Sequence, residues 1–210
     1  MKFSFDRSKH VFSSPEFEEL IKDTIRFFNG TPIQPIPPLE DFEGAGVYAL
    51  YFIGKDGLYK RFHEINRLDY RQPIYVGKAV PRGWRQGRVV HSSSHELCRR
   101  LCDHTKSIEA ASNLKIRDFL CRFMILENSA TNLIGTVEAA LIRNYMPLWN
   151  CNVDGFGNHD PGSGRYNQER SDWDLLHPGR SWANRCAESS RSLEDILSGV
   201  RQYFIDYSYV

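Results

Sequence analysis

Apolar and polar positions along the chain alternate with two periods, and together these predict a small mixed fold. Residues 46–53 (Gly46-Val47-Tyr48-Ala49-Leu50-Tyr51-Phe52-Ile53) and residues 74–77 (Ile74-Tyr75-Val76-Gly77) crowd β-branched and aromatic side chains between Gly and Pro boundaries, the pattern of strands. In the first strand Tyr48, Leu50 and Phe52 fall on one face and Val47, Ala49, Tyr51 and Ile53 on the other, because successive side chains point to opposite sides. Neither face is polar, so the pair is expected to be covered on both sides. Core packing with hydrogen-bonded hydroxyls would by itself account for Tyr48 and Tyr75. Residues 119–126, apolar except for Arg122, predict a third strand.

The helical period appears in four places. Ser14 and Pro15 open a helix as cap and first-turn residue, Asn29-Gly30 closes it, and Phe17, Leu20, Ile21, Thr24 and Phe28 form its stripe. Ser93 and Glu96 read as a capping box for a second helix that turns Leu97, Cys98, Leu101 and Cys102 inward. Arg100 and His104, one turn apart, flank that stripe. Residues 129–146 form a third helix, stopped by Pro147, with Ile134, Val137, Leu141 and Tyr145 inward. Within it Glu138 borders the apolar stripe, a position that costs free energy unless the carboxylate is paired or binds a cation. The fourth helix starts at Ser192 and turns Leu193, Ile196, Leu197, Val200 and Phe204 inward. Between these elements lie a strap with four prolines at 31–38, a charged aromatic insert at 54–73, and a polar loop region at 150–185. The strap can neither enter a central strand nor continue a helix. The insert reads as a decorated hairpin or a short helix. The expected organisation is a single domain over 1–210: an N-terminal helix and strap (1–43), a core (44–152) and a C-terminal loop and helix (153–210).

Composition changes this picture little. With 210 residues, 41% hydrophobic and 13% aromatic, the chain can bury one core, and no apolar run reaches the length of a membrane helix. Five cysteines, an odd number, suggest free thiols and an intracellular, cytoplasmic protein. A zinc site at Cys98, Cys102 and His104 is less economical than core packing. Charge is more informative by segment than in total: the whole chain carries +1, but residues 71–122 hold eleven Lys or Arg against four Asp or Glu. A local excess of that size suits a polyanion, although solvated helix faces also collect basic residues. Arg82, Arg85 and Arg88 sit in a Gly-containing loop suited to tracking phosphates. Arg165, Asn167, Gln168, Arg170, Arg180 and Arg185 are the residue types that read base edges.

Gly46-Val47-Tyr48, Tyr75-Val76-Gly77, Arg100 on the next helix, Glu138 on a later helix and Asn150 after Pro147 together resemble the GIY-YIG nuclease family. Order and element type agree over about residues 44–152. The family usually joins its two motifs by a short hairpin, whereas here Tyr48 and Tyr75 lie 27 positions apart. The resemblance implies an α/β (α+β) fold, a central antiparallel sheet of three or more strands flanked by helices, with the N-terminal helix, the insert and the C-terminal loop and helix as decorations. It also implies Mg²⁺-dependent hydrolysis of a DNA phosphodiester, with Mn²⁺ as a possible substitute and no organic cofactor. One carboxylate suffices for magnesium, which keeps much of its hydration, so Glu138 is the implied metal ligand. Arg100 is implied to stabilise the phosphoryl oxygens. Tyr48 would orient water and take its proton, with Lys78 or His104 as helper, because a free tyrosine is a poor base. Tyr75 and Asn150 are implied to position phosphate and network.

The compact chain and its His104 are most like the type II restriction endonuclease branch, which implies double-stranded DNA as partner and a homodimer cutting a short palindrome. Tyr75-Val76-Gly77-Lys78-Ala79 also looks like the nuclease module of excision repair, a structure-specific alternative. A non-catalytic nucleic-acid-binding module with the same fold is the alternative of a different class, and the intact Tyr, Tyr, Arg, Glu and Asn set speaks against it.

Overall fold

A computed structural model of the chain describes residues 5–55, 57–81, 83–84 and 94–207. The two tyrosine strands are β2 (Gly46–Phe52) and β3 (Tyr75–Ala79), and the third is β4 (Phe119–Ile125). The strap contributes β1 (Gln34–Pro35), giving an antiparallel sheet in the order β1-β4-β2-β3. Pro35 lies on an edge strand, where its missing N–H breaks no internal ladder. All seven residues of β2 are buried, because helices cover both sheet faces.

One face, with Tyr48, Leu50, Phe52, Tyr75 and Cys121, packs on α3 (Glu96–Ala110) and on the C-terminal segment. The other, with Val47, Ala49, Tyr51, Val76 and Met124, packs on α1 (Pro15–Gly30) and α4 (Ile134–Tyr145). The alternation read from β2 therefore separates two cores. Helix α1 starts as expected, the Ser14 hydroxyl accepting from the Phe17 N–H at 3.2 Å. Its stripe divides, however: Phe28 is buried while Phe17 and Leu20 are exposed, because only one edge of the helix meets the sheet. Helix α7 (Leu193–Asp206) has the full capping box of Ser192 with Asp195 and buries Ile196, Val200 and Tyr203. Leu193, expected inward, is exposed, since the first turn projects past the core.

The insert between β2 and β3 forms α2 (Lys60–Asp69). Phe62 packs edge-on against Phe204 of α7. Asn66 donates to the Phe52 carbonyl at 3.2 Å and to the Gln72 carbonyl at 2.9 Å, and accepts from the Gln72 N–H at 2.9 Å. Those bonds fix where the long connection leaves and re-enters the sheet, so β2 and β3 pair as a short hairpin would pair them. The loop region at 150–185 carries two short α-helices, α5 (Leu148–Cys151) at its start and α6 (Asp172–Leu176) within it, and a 3-10 turn at Ala183–Arg185. Trp173 of α6 and Phe156 are fully buried in the α3-side core, where burial of an aromatic side chain contributes about 1.5–3 kcal/mol. No helix among the described residues is long and apolar enough to cross a membrane.

A polar chain runs through this core. Trp149 Nε1–H donates to the Tyr59 hydroxyl (3.0 Å), which donates to His177 Nε2 (2.7 Å), and His177 Nδ1–H donates to Asn113 Oδ1 (2.8 Å). Asn113 Oδ1 can only accept, its amide nitrogen donating to the Leu176 carbonyl at 2.9 Å, so the neutral His177 is the Nδ1–H tautomer and its Nε2 accepts from Tyr59. Burial, followed by the Arg180 charge, pushes its pKa down to about 3.

Candidate active site

Antiparallel register sets Tyr48 opposite Gly77. A Cβ on Gly77 would overlap the Tyr48 hydroxyl and the Tyr75 ring, so a glycine there lets the phenol cross over β3 toward α3. The hydroxyl meets His104 Nε2 at 2.5 Å. His104 is only 2% exposed, which places it inside the stripe it was expected to flank: it lies three residues after Leu101 and seven after Leu97, on the helix face that also buries Thr105 and Ile108. Burial, then the Arg100 charge, holds the His104 pKa well below the ordinary histidine range. The imidazole is therefore neutral, and in its Nδ1–H tautomer Nε2 accepts from the Tyr48 hydroxyl. Burial pushes the Tyr48 pKa well above 10, with the Tyr75 hydroxyl as the next cause. Tyr48 is thus a neutral phenol bonded to His104, not a phenolate.

The rings of Tyr48, Tyr75 and His104 form a cluster with centroids 5.3–6.2 Å apart, and Phe156 stacks on His104 at 4.5 Å. In front of it opens a cleft of about 380 Å³ lined by Tyr75, Lys78, Arg100, Glu138 and His159, among others. Glu138 and Lys78 come from α4 and β3 and meet there, Nζ to Oε2, at 2.5 Å. That pair resolves the cost of a carboxylate beside an apolar stripe; the Glu138 side chain is 18% exposed. Arg100 reaches the same cleft from α3. Its Nη2 donates to the Gly157 carbonyl at 2.8 Å and its Nη1 contacts His159 Nε2, so two of the five guanidinium donors are anchored to one loop. Burial and the Arg100 charge lower the His159 pKa, leaving it an acceptor. A Cβ on Gly157 would press on the Tyr75 hydroxyl, which accounts for a glycine at that close approach.

Phe156, Gly157 and His159 complete this site, yet nothing in their Asn/Gly/Asp-rich stretch marks them as functional. Their position depends on Arg180. All five of its N–H donors are used: Nε and Nη2 on Asp174 (2.7 Å each), Nη1 on the Phe156 and Asn158 carbonyls (3.1 Å each), and Nη2 again on the Gly155 carbonyl (2.9 Å). Arg180, expected at the DNA, is 5% exposed and has no donor left for a base. Asn150 is also engaged within the fold: its amide accepts from the Val76 N–H and donates to the Val76 carbonyl, both at 2.8 Å. It pins β3 at the residue after Tyr75 and does not line the cleft. Arg165, Asn167 and Gln168 are exposed. Arg170 donates to the Ala183 carbonyl at 3.1 Å, and Arg185 pairs with Asp160 at 3.0 Å while lying over the Tyr166 ring. Arg82, Arg85, Arg88 and the Ser93 cap lie outside the described residues; the residue at the N-cap of α3 is His95. The basic excess at 71–122 is partly consumed locally, since Arg71, Arg99 and Lys106 pair with Asp69, Glu96 and Asp103 and Arg122 is buried.

Two buried neutral histidines have a consequence for stability. The folded pKa values of His104 and His177 are depressed, so below about pH 6.5 the unfolded chain binds protons that the folded one refuses. Their contribution is complete above pH 6.5 and falls as pH drops toward the folded values, by about 1.4 kcal/mol per pH unit for each histidine. Urea denaturation at pH 7.5, 6.0 and 5.0 should show the midpoint falling steeply below pH 6.5. A midpoint flat across that range would contradict their buried neutral state.

Among known proteins, residues 40–204 match a family model described as the Eco29kI GIY-YIG domain. No curated protein is a significant match. The match runs past residue 152, where the resemblance traced on motifs ends, and takes in the C-terminal segment that packs Phe156 on His104 and anchors Arg100. It covers β2 to β4 and most of α7, leaving α1 and β1 outside. The cleft and the segment that completes it thus lie within one family span covering most of the chain, and the protein belongs to the Eco29kI GIY-YIG family of restriction endonucleases, which cleave DNA in the type II manner.

Proposed function

We propose that this endonuclease hydrolyses both strands of a short palindromic duplex as a homodimer, with Mg²⁺ held by Glu138. GIY-YIG nucleases use divalent metals, and the observation that carries this reading is the convergence of Glu138, Lys78, Arg100 and Tyr75 on one cleft backed by the Tyr48–His104 pair. Among the described residues no cluster of three or more His, Cys, Asp or Glu side chains could cage a metal. The donor set fits Mg²⁺ rather than zinc, since a single carboxylate with water and phosphate oxygens satisfies it. When bound, the metal supplies charge neutralisation at the scissile phosphate and the leaving oxygen.

The chain's own groups supply the rest. Arg100, clamped by Gly157 and His159, offers its remaining N–H donors to the phosphoryl oxygens as charge develops. Tyr48 takes the proton of the attacking water while passing its own to His104 Nε2, so no phenolate need form beforehand. Lys78 balances the Glu138 carboxylate, and with a metal on Glu138 its ammonium would be free to face a phosphate oxygen. One protomer has one such cleft among its described residues and handles one strand, and a two-fold dimer sets identical sites on the two strands of a palindrome. Exposed Arg165, Asn167 and Gln168 are the groups available to read bases.

Digestion of a phage DNA tests this. With Mg²⁺ the protein should give discrete fragments, with a chelator none, and Glu138→Ala should lose cleavage while still shifting a cognate duplex. Light scattering of that inactive complex should give two protomers per duplex. Cleavage by Glu138→Ala at the normal rate, or one protomer per duplex cutting both strands, refutes the metal or the dimer assignment respectively. The complex should also weaken steeply with salt, because phosphate contacts release counterions.

A further inference from the structure

A second cavity, larger than the cleft, lies elsewhere in the fold. It is a pocket of about 680 Å³ on the α1/α4 side of the sheet, lined by Asn29, Arg67, Tyr70, Arg122, Asn144 and Tyr145, among others. Helix direction separates the two: Glu138 belongs to the middle of α4 and faces the cleft, whereas Asn144 and Tyr145 are its last residues and face the pocket. The pocket therefore contains none of the catalytic groups.

At its floor lies an unbalanced charge. Arg122, on β4 beside Ala49 of β2, is 9% exposed. Its buried Nε has no hydrogen-bond partner, and among the described residues no carboxylate forms an ion pair with its guanidinium. Its neighbour Tyr51 lies with the ring centroid 5.5 Å from the guanidinium carbon. Burial pushes the Tyr51 pKa up, so that phenol is neutral and cancels no charge. A buried cation without an anion is costly, and the cost falls if a ligand brings the anion.

We infer that this pocket binds a small molecule carrying one oxyanion group on a planar or apolar body, with Arg122 as the anchor of the oxyanion. Arg67 adds a second positive charge at the rim, and Tyr70 and Tyr145 supply ring surface for the body. Glu64 and Asp69 also line the rim, Asp69 paired with Arg71, and these carboxylates disfavour a polyanion such as a triphosphate or a DNA backbone. The volume lies within the 300–1,000 Å³ typical of small-ligand sites.

Titration calorimetry with deoxyadenosine monophosphate, in chloride buffer with a chelator present, tests the inference, inorganic phosphate serving as competitor. The mononucleotide should bind saturably and phosphate should displace it. Arg122→Met should weaken binding at least tenfold while leaving DNA cleavage intact, which also verifies folding. Asn144→Trp, an exposed wall position that would fill the pocket, should cause the same loss should Arg122→Met fail to fold. Arg100→Ala should leave the affinity within twofold. No saturable binding, binding unchanged by both pocket substitutions, or binding lost with Arg100→Ala would overturn the assignment, the last by placing the nucleotide in the cleft.

Discussion

Tyr48→Phe is expected to slow single-turnover cleavage by about 10²- to 10⁴-fold, the range for loss of a positioned proton-transfer group. The substitution keeps the ring that fills the space over Gly77 and removes only the oxygen 2.5 Å from His104 Nε2. It leaves a buried ring nitrogen of His104 without its partner, at a cost of about 1–3 kcal/mol, so the folded fraction should be checked by denaturation and the rate compared on folded protein. On the proposed proton route through both residues, His104→Gln should be nearly as slow, and the double substitution little slower than either single one; groups acting as a unit are non-additive. The pH profile separates this route from a histidine acting alone. His104 accepts a proton only while neutral, and burial holds its pKa well below 6.5, so the acid limb of the rate should lie below the ordinary histidine range. Normal cleavage by Tyr48→Phe would reduce the hydroxyl to a packing group and return the strand pair to a purely structural role.

Arg180→Met is expected to cost about 3–5 kcal/mol of stability, since removing one member of a buried pair leaves the other charge uncompensated. Asp174, the partner, has a side chain only 1% exposed. The guanidinium also lies over the Trp173 and Trp182 rings at 4.5 and 4.7 Å, contacts that methionine replaces only in part. Total stabilities of about 5–15 kcal/mol are usual, so the variant should denature at much lower urea than the parent. Arg180→Lys is the more telling change. It keeps the charge, but three donors on a flexible stem cannot hold the three carbonyls of Gly155, Phe156 and Asn158 together with a carboxylate. Cleavage should then fall by more than the lost folded fraction, because Phe156 and Gly157 no longer brace His104 and Arg100. A lysine variant with normal stability and normal rate would show that the loop needs no such anchor.

Local pattern alone determined much of this protein. The strands of Tyr48 and Tyr75, the two-faced burial of β2, the cap at Ser14, the helix that begins at Ser192 and the break at Pro147 follow from periodicity and backbone chemistry, which act over a few residues. Glu138 was conspicuous for the same reason, a carboxylate where the stripe wants an apolar group. What local pattern could not decide is which distant groups meet. Lys78 pairs with Glu138 because β3 is the edge strand beside α4. His104 continues the α3 stripe, three residues after Leu101 and seven after Leu97, but its meeting with the Tyr48 hydroxyl is decided only by how α3 and β2 pack. Arg180 and Arg165 look alike in a polar loop; only the fold makes one a fully bonded core residue and leaves the other exposed. Arg122 likewise reads as an interruption in a strand, and only the packing of α1, α2 and α4 around it makes it the floor of a pocket. Burial of a charged side chain is a property of everything that surrounds it, and for these residues most of those surroundings come from elsewhere in the chain.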